Sequence, residues 1–128
     1  MSVMITPTLD ATRLQQLAEI EDEGVDLMAE LVGLFVAETE TLLGDAARLT
    51  EDAGALQRVA HTLVGTCGTI GAARMRILAM ELESTLKRGE VAPAGSIVHS
   101  LAEEFVQVGV LLEQYLHHRD EAPGRPGN

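Results

Sequence analysis

The chain has 128 residues with 20 acidic and 9 basic side chains, a formal net charge of −11, and a single cysteine. This length fits one domain with its own apolar core, and one cysteine excludes an internal disulfide. The negative charge and the scarcity of aromatic residues argue against nucleic-acid binding. No apolar run is long enough to span a bilayer, and residues 1–5 lack the basic start of a signal peptide. We therefore expect a cytoplasmic protein that engages neither nucleic acid nor membrane.

The sequence predicts two helices in the first 50 residues. A short helix follows Asp10, a possible N-cap, and ends before Gly24. A longer helix runs from about Val25 to Leu49 and turns acidic side chains toward water. The residues predicted to face inward are Leu9, Leu14, Leu17 and Ile20 in the first helix and Leu27, Leu31, Leu34, Phe35, Leu42 and Leu49 in the second.

Three more helices are predicted in the second half of the chain. The third begins after Asp52, a second possible N-cap, and ends near Thr69, and Gly71 then breaks the chain. The fourth stops at Gly89, and Pro93 opens the fifth. Their predicted inward-facing residues are Met75, Leu78, Ala79, Leu82 and Leu86, then Ile97, Leu101, Phe105, Val108, Leu112 and Leu116.

Five amphipathic helices joined by short connections predict an all-α fold. We expect an antiparallel four-helix bundle, with the first short helix as an accessory element that covers it. Residues 1–8 would form a lead and residues 9–118 the bundle. Residues 119–128 contain two Pro and two Gly without an apolar stripe, which predicts a disordered tail.

His61 lies on the outer face of the predicted third helix. At 100° per residue its apolar stripe points the opposite way. That stripe consists of Leu56, Val59, Leu63 and Ile70, whereas the residues around His61 are Gly54, Gln57, Arg58, Val64, Gly65 and Gly68. Glycine inside a helix costs roughly 0.5–1 kcal/mol relative to alanine. Glycines beside an exposed imidazole therefore predict a surface that a large partner approaches closely. We expect the apolar edge of this surface to be formed by Val64 and neighbouring residues on the first helix.

The charge distribution supports the same interpretation. No Asp or Glu occurs from Ala53 to Met80, although Arg58, Arg74 and Arg76 lie in that window. The absence of carboxylates near His61 in an otherwise acidic protein indicates a site for a phosphoryl group or an acidic partner, because nearby negative charges would repel either one.

The order of residues around His61 resembles that of the histidine phosphotransfer (HPt) domain family. The resemblance rests on His61-Thr62-Leu63-Val64-Gly65-Thr66, then Ile70-Gly71-Ala72, and Leu82-Glu83 on the next helix, and it extends from about Leu9 to His118. It implies a helical bundle in which His61 accepts a phosphoryl group from a receiver-domain aspartate and passes it to another. Gly65 would then be the small residue that makes room for the receiver.

One departure from the family pattern concerns the cation near the phosphoryl group. The family usually has a lysine three residues after the histidine, where this chain has Val64. Loss of that charge would weaken stabilisation of the phosphohistidine. Arg58, one helical turn before His61, is our predicted substitute, since its guanidinium suits phosphate.

The resemblance also predicts the partners and the limits of the activity. The expected partners are receiver domains of a hybrid histidine kinase, of response regulators, or of both, acting on a monomeric carrier. No cofactor is expected in this chain, because magnesium and the reacting aspartate would come from the receiver. No nucleotide-binding motif is present, so autokinase activity is not expected.

Other histidines and the cysteine are weaker candidates. His99, His117 and His118 lack the spacing of a metal site, and Cys67 is predicted to be a small core or boundary residue.

An alternative function stays open: an HPt-shaped docking module that binds receivers without carrying phosphate. Val64 keeps this alternative open, while His61 and Gly65 favour the phosphoryl carrier.

Overall fold

The computed structural model describes residues 6–20, 26–49 and 51–120, with side chains described as far as residue 118. Within these ranges the chain is helical and contains no strand. The helices are α1 (Ala11–Ala18), α2 (Leu27–Arg48), α3 (Ala53–Ile70), α4 (Ala73–Lys87) and α5 (Val91–Asp120).

Aspartate side chains fix the starts of the first three helices. Asp10, Asp26 and Asp52 each accept a hydrogen bond from the backbone N–H three residues later, at 3.2, 3.1 and 3.0 Å. These bonds satisfy N–H groups that have no partner within the helix, which stabilises each start by typically about 1 kcal/mol. The predicted caps Asp10 and Asp52 are therefore confirmed.

Gly71 ends α3 and permits the tight connection to α4. Its φ of +83° is in the left-handed region, where residues with a side chain are strained. The N–H groups of Gly71 and Ala72 both donate to the Cys67 carbonyl oxygen, at 3.0 and 2.9 Å. Since only Ala72 separates Gly71 from α4, α3 and α4 form an antiparallel helical hairpin.

The four long helices surround one apolar core. α3 packs against α2 and α4, and α5 closes the bundle by contacting the other sides of α4 and α2. α1 lies on the outside against α2 and α3. The largest fully buried apolar side chains are Leu56, Leu63, Ile70, Met75, Leu82, Leu101, Val108 and Leu112. The prediction of a four-helix bundle with an accessory N-terminal helix is thus confirmed.

Some sequence predictions differ from the structure. Leu34 and Ile20, predicted to face inward, are 67% and 53% exposed. The buried stripe of α2 is centred on Met28, Val32 and Phe35, and Leu34 lies about 120° from it around the helix. Ile20 follows the end of α1 and does not continue its buried face, which consists of Leu14 and Leu17.

The predicted boundaries differ by a few residues at the ends of helices. α5 begins at Val91, two residues before Pro93, and continues through Asp120, past the predicted bundle end at 118. The first helix was expected to end before Gly24 and the second to begin at about Val25, and both residues lie outside the described ranges. Residues 121–128 of the predicted tail also lie outside them. No helix in the described ranges combines the length and hydropathy needed to cross a membrane.

Candidate functional site

His61 lies on the outer surface of α3 and is held by a carboxylate from α4. Its side chain is 79% exposed, and its Nδ1 lies 2.8 Å from Oε2 of Glu83. A carboxylate can only accept a hydrogen bond, so Nδ1 carries the proton and donates it. The other ring nitrogen, Nε2, then has a free lone pair. Within the described residues no hydrogen bond engages Nε2, so it is available to a partner.

The positioning carboxylate is much less exposed than the imidazole that it holds. The Glu83 side chain is 17% exposed, so its orientation is constrained by the surrounding helices. Lys87, one turn later on α4, places its Nζ 3.9 Å from the same Oε2 atom of Glu83. A single carboxylate oxygen therefore lies between an imidazole and an ammonium group.

A shallow cleft of about 630 Å³ contains the imidazole and its neighbours. Its lining residues come from α3 and α4 and are Gly54, Gln57, Arg58, His61, Thr62, Glu83 and Lys87. The structure thus brings Gln57 and Arg58 to His61, as the helical spacing predicted. A methyl group added to Gly54 would lie 3.8 Å from Nη1 of Arg58, so the guanidinium lies toward the start of α3.

The remaining predicted site residues occupy different surroundings. Gly65 is exposed, and a methyl group added there would meet nothing within 4 Å. Val64 is half-buried and packs against the core. Gly68 lies under Arg76, whose Nε would be 3.2 Å from an added methyl group, and it lines a separate cleft near the α3–α4 turn. Gly68 therefore accommodates an arginine of this chain.

A second groove adjoins the histidine on its α2 side. It encloses about 460 Å³ and is lined by Leu31, Leu34, Phe35, Glu38, Thr62, Gly65, Thr66, Thr69 and Ile70. The exposed Leu34 is its most accessible large apolar side chain. The sequence predicted that Val64 and the first helix would form the apolar edge beside His61. The structure instead places α2 there, and α1 binds near the α3–α4 turn, where Arg13 donates to the Thr69 carbonyl oxygen at 2.9 Å.

The cysteine lies in the core, as predicted. Cys67 is fully buried, and burial raises the pKa of its thiol to about 12, an effect that the positive charge of Arg76 partly offsets. The thiol therefore stays protonated at neutral pH and is a poor nucleophile. Among the described residues, no group of three or more His, Cys, Asp or Glu side chains converges as metal ligands.

Two residues of the site were missed by reasoning from the helical pattern. Glu83 was singled out only as part of the Leu82-Glu83 pair, and Lys87 had no predicted role in the site. Both lie on a different helix from His61, and their proximity to it depends on how α3 and α4 align across the Gly71 turn. The one available signal was the 22-residue spacing between His61 and Glu83, which places them at matching heights on two antiparallel helices.

Comparisons with known proteins point to one family. The Hpt domain family matches residues 30–122. Histidine-containing phosphotransfer protein B from Pseudomonas aeruginosa PAO1 is similar in structure, with a TM-score of 0.80 and 28% identity over 88% of this chain and 96% of that one. No curated protein sequence matches the chain.

Two plant proteins share the fold at lower identity. Phosphotransfer protein MtHPt2 from Medicago truncatula has a TM-score of 0.76 and 20% identity, covering 92% of this chain and 84% of its own. Protein ZmHP2 from maize has a TM-score of 0.71 and 21% identity, covering 85% and 88%. The family match spans more than half of the sequence, and the bundle agrees with it, so this chain belongs to the Hpt domain family of histidine phosphotransfer proteins.

Proposed function

We propose that His61 carries the phosphoryl group in this histidine phosphotransfer protein. The partners would be receiver domains of a hybrid histidine kinase, of response regulators, or of both. The observation that carries the proposal is the hydrogen bond between His61 Nδ1 and Glu83 Oε2, because it leaves Nε2 as the nucleophile on an exposed ring. Membership of the Hpt domain family supports the same assignment.

The transfer proceeds without loss of a proton from the imidazole. The Nε2 lone pair attacks the phosphorus of an aspartyl phosphate, and a P–N bond forms while the P–O bond to the aspartate breaks. The electron pair of that bond returns to the aspartate carboxylate. The imidazole ring becomes positively charged while Nδ1 keeps its proton, and Glu83 stabilises this charge through the hydrogen bond. Attack by a second receiver's aspartate on the same phosphorus reverses these steps.

The surface around His61 suits a transient partner. Gly65 leaves open space beside the ring, and the groove containing Leu34 supplies a small apolar contact next to it. Gln57 and Arg58 line the cleft on the other side and would contact either the phosphoryl oxygens or the receiver. We propose that the receiver supplies the magnesium ion and that this chain has no autokinase activity, so its phosphoryl group always comes from a partner.

Transfer from phosphorylated receiver domains, with His61→Gln as the comparison, tests this function. We expect acid-labile labelling of the wild type by at least one receiver of a panel from the same genome, and none of His61→Gln. Unchanged labelling of His61→Gln would refute the assignment of His61. Binding without labelling, by receivers shown to be active, would instead favour the docking module.

A further inference from the structure

Lys87 is an exposed cation whose closest partner is the carboxylate that holds the reactive histidine. Its side chain is 60% exposed and lies 3.9 Å from Glu83 Oε2, which is itself 2.8 Å from His61 Nδ1. Both Lys87 and His61 line the same cleft. A lysine side chain has four flexible carbons, so its ammonium can leave Glu83 and reach a group bound on the neighbouring ring.

The other two positions that were considered for a cation are less well placed. Val64 stands where the resemblance led us to expect lysine, and it is half-buried against the core. Arg58 shares the cleft, but its guanidinium lies toward Gly54, almost two turns before His61. Lys87 is thus the cation of this cleft that already touches a group bound to the imidazole.

We propose that Lys87 is the phosphate-binding residue that replaces, from α4, the lysine absent at position 64. Before transfer its ammonium neutralises Glu83. Once Nε2 carries the phosphoryl group, the ammonium donates hydrogen bonds to the phosphoryl oxygens, while Glu83 compensates the positive charge of the ring. Lys87 forms and breaks no covalent bond. This inference rests on the proposed phosphorylation of His61.

A purely structural role for Lys87 makes different predictions. Lys87 lies in the last turn of α4 and is four residues after Glu83, an arrangement that slightly stabilises an isolated helix. Such a role would change the stability of α4 and leave the phosphoryl group unaffected. Arg88 is the matched control, because it is the adjacent basic residue, is exposed, and contacts Glu90 at 3.4 Å outside the cleft.

The experiment uses the chain charged chemically with phosphoramidate, so that no receiver is needed. The ³¹P resonance of the phosphohistidine is followed against pH in the wild type, Lys87→Ala, Arg58→Ala, Arg88→Ala, and Lys87→Ala combined with Val64→Lys. A neighbouring ammonium favours the dianionic phosphoryl group, so we expect Lys87→Ala to move the titration midpoint upward by about half a pH unit to one unit. Arg88→Ala should titrate like the wild type, and Val64→Lys should restore the midpoint in the double variant.

An unchanged midpoint in Lys87→Ala would overturn the inference, as would equal shifts in Lys87→Ala and Arg88→Ala. A shift in Arg58→Ala alone would assign the role to Arg58 instead. These outcomes are distinct from failure of the proposed function, which would appear as a chemically charged His61 that no active receiver can discharge. If phosphoramidate fails to label His61, both the inference and the proposed function are contradicted.

Discussion

The contact between His61 and Glu83 determines which nitrogen of the imidazole keeps a free lone pair. Without a partner, an imidazole exchanges its proton between the two nitrogens, and only one tautomer presents Nε2 unprotonated. Glu83 selects that tautomer through a bond of 2.8 Å from a side chain that is itself largely buried. Glu83 is therefore a positioning residue that acts through His61.

We predict that Glu83→Ala slows phosphoryl transfer to His61 by about tenfold or more, by analogy with the loss of carboxylates that orient metal-binding histidines. The transfer rate of Glu83→Gln should lie between those of Glu83→Ala and the wild type, because the amide oxygen still accepts a hydrogen bond from Nδ1–H but carries no negative charge. The ¹⁵N chemical shifts of the imidazole separate this role from a structural one. In Glu83→Ala the two tautomers should exchange, so both ring nitrogens should show shifts averaged between their protonated and unprotonated values.

Glu81 supplies the control for this prediction. It is an exposed carboxylate on the same helix and does not line the His61 cleft. Glu81→Gln should leave both the transfer rate and the imidazole shifts at their wild-type values. Wild-type shifts in Glu83→Ala would contradict the role of Glu83.

At the scale of an element, α3 serves two surfaces with opposite requirements. Its inner side buries Leu56, Leu63 and Ile70, and its outer side carries His61 with Gly65 one turn later. Because nothing touches an added methyl group at Gly65, glycine at this position has no packing reason within the chain. We propose that the unfavourable conformational entropy of glycine at this position is offset by the access to His61 that it gives a partner.

Gly65→Ala should therefore stabilise the fold and impair the transfer. We expect the free energy of unfolding to rise by about 0.5–1 kcal/mol, the usual gain for this change in a helix. We expect receiver binding to weaken and transfer to slow, since the methyl group occupies the surface that the partner must approach. Urea unfolding and single-turnover transfer measure the two effects.

Gly95→Ala on α5 is the control, because that glycine is also helical, exposed and free of neighbours within 4 Å. It should gain similar stability and transfer phosphate normally. A Gly65→Ala variant with undiminished transfer would show that the glycine is not needed for docking.

The helices of this chain could be predicted from its sequence, whereas the side-chain contacts between them could not. The side chains of Asp10 and Asp52 cap backbone N–H groups three residues later, and Gly71 acts through its own backbone conformation, so caps and helix ends could be predicted from local chemistry. Leu34 was misassigned because an apolar residue beside Phe35 looks buried unless the centre of the stripe is known. Glu83 and Lys87 could not be assigned from periodicity, since their roles arise from the alignment of two helices.

At the scale of the whole molecule, the α3–α4 turn is where three helices meet. The Gly71 carbonyl oxygen accepts a hydrogen bond from the Asp10 N–H at 2.7 Å, and a methyl group added to Gly71 would lie 3.0 Å from Cβ of Arg13. The turn therefore connects the two helices of the hairpin and also forms part of the surface against which α1 packs. A side chain here would strain the backbone and push α1 away.

Gly71→Ala is predicted to lower the free energy of unfolding by about 2 kcal/mol, of which about 1 kcal/mol is left-handed strain. Gly89→Ala provides the comparison, because Gly89 also has a positive φ of 77° but no neighbour within 4 Å of an added methyl group. It should lose only the strain component. Equal losses in thermal or urea unfolding would show that contact with α1 contributes nothing.

The same hairpin determines how the contact between His61 and Glu83 forms during folding. His61 and Glu83 are 22 residues apart and are joined by one tight turn between two helices. The entropy of closing so short a loop is small, and helical proteins with such local contacts fold in microseconds to milliseconds. The time needed to bring His61 and Glu83 together is therefore set by helix formation and one turn, and no search for a distant segment of the chain is required.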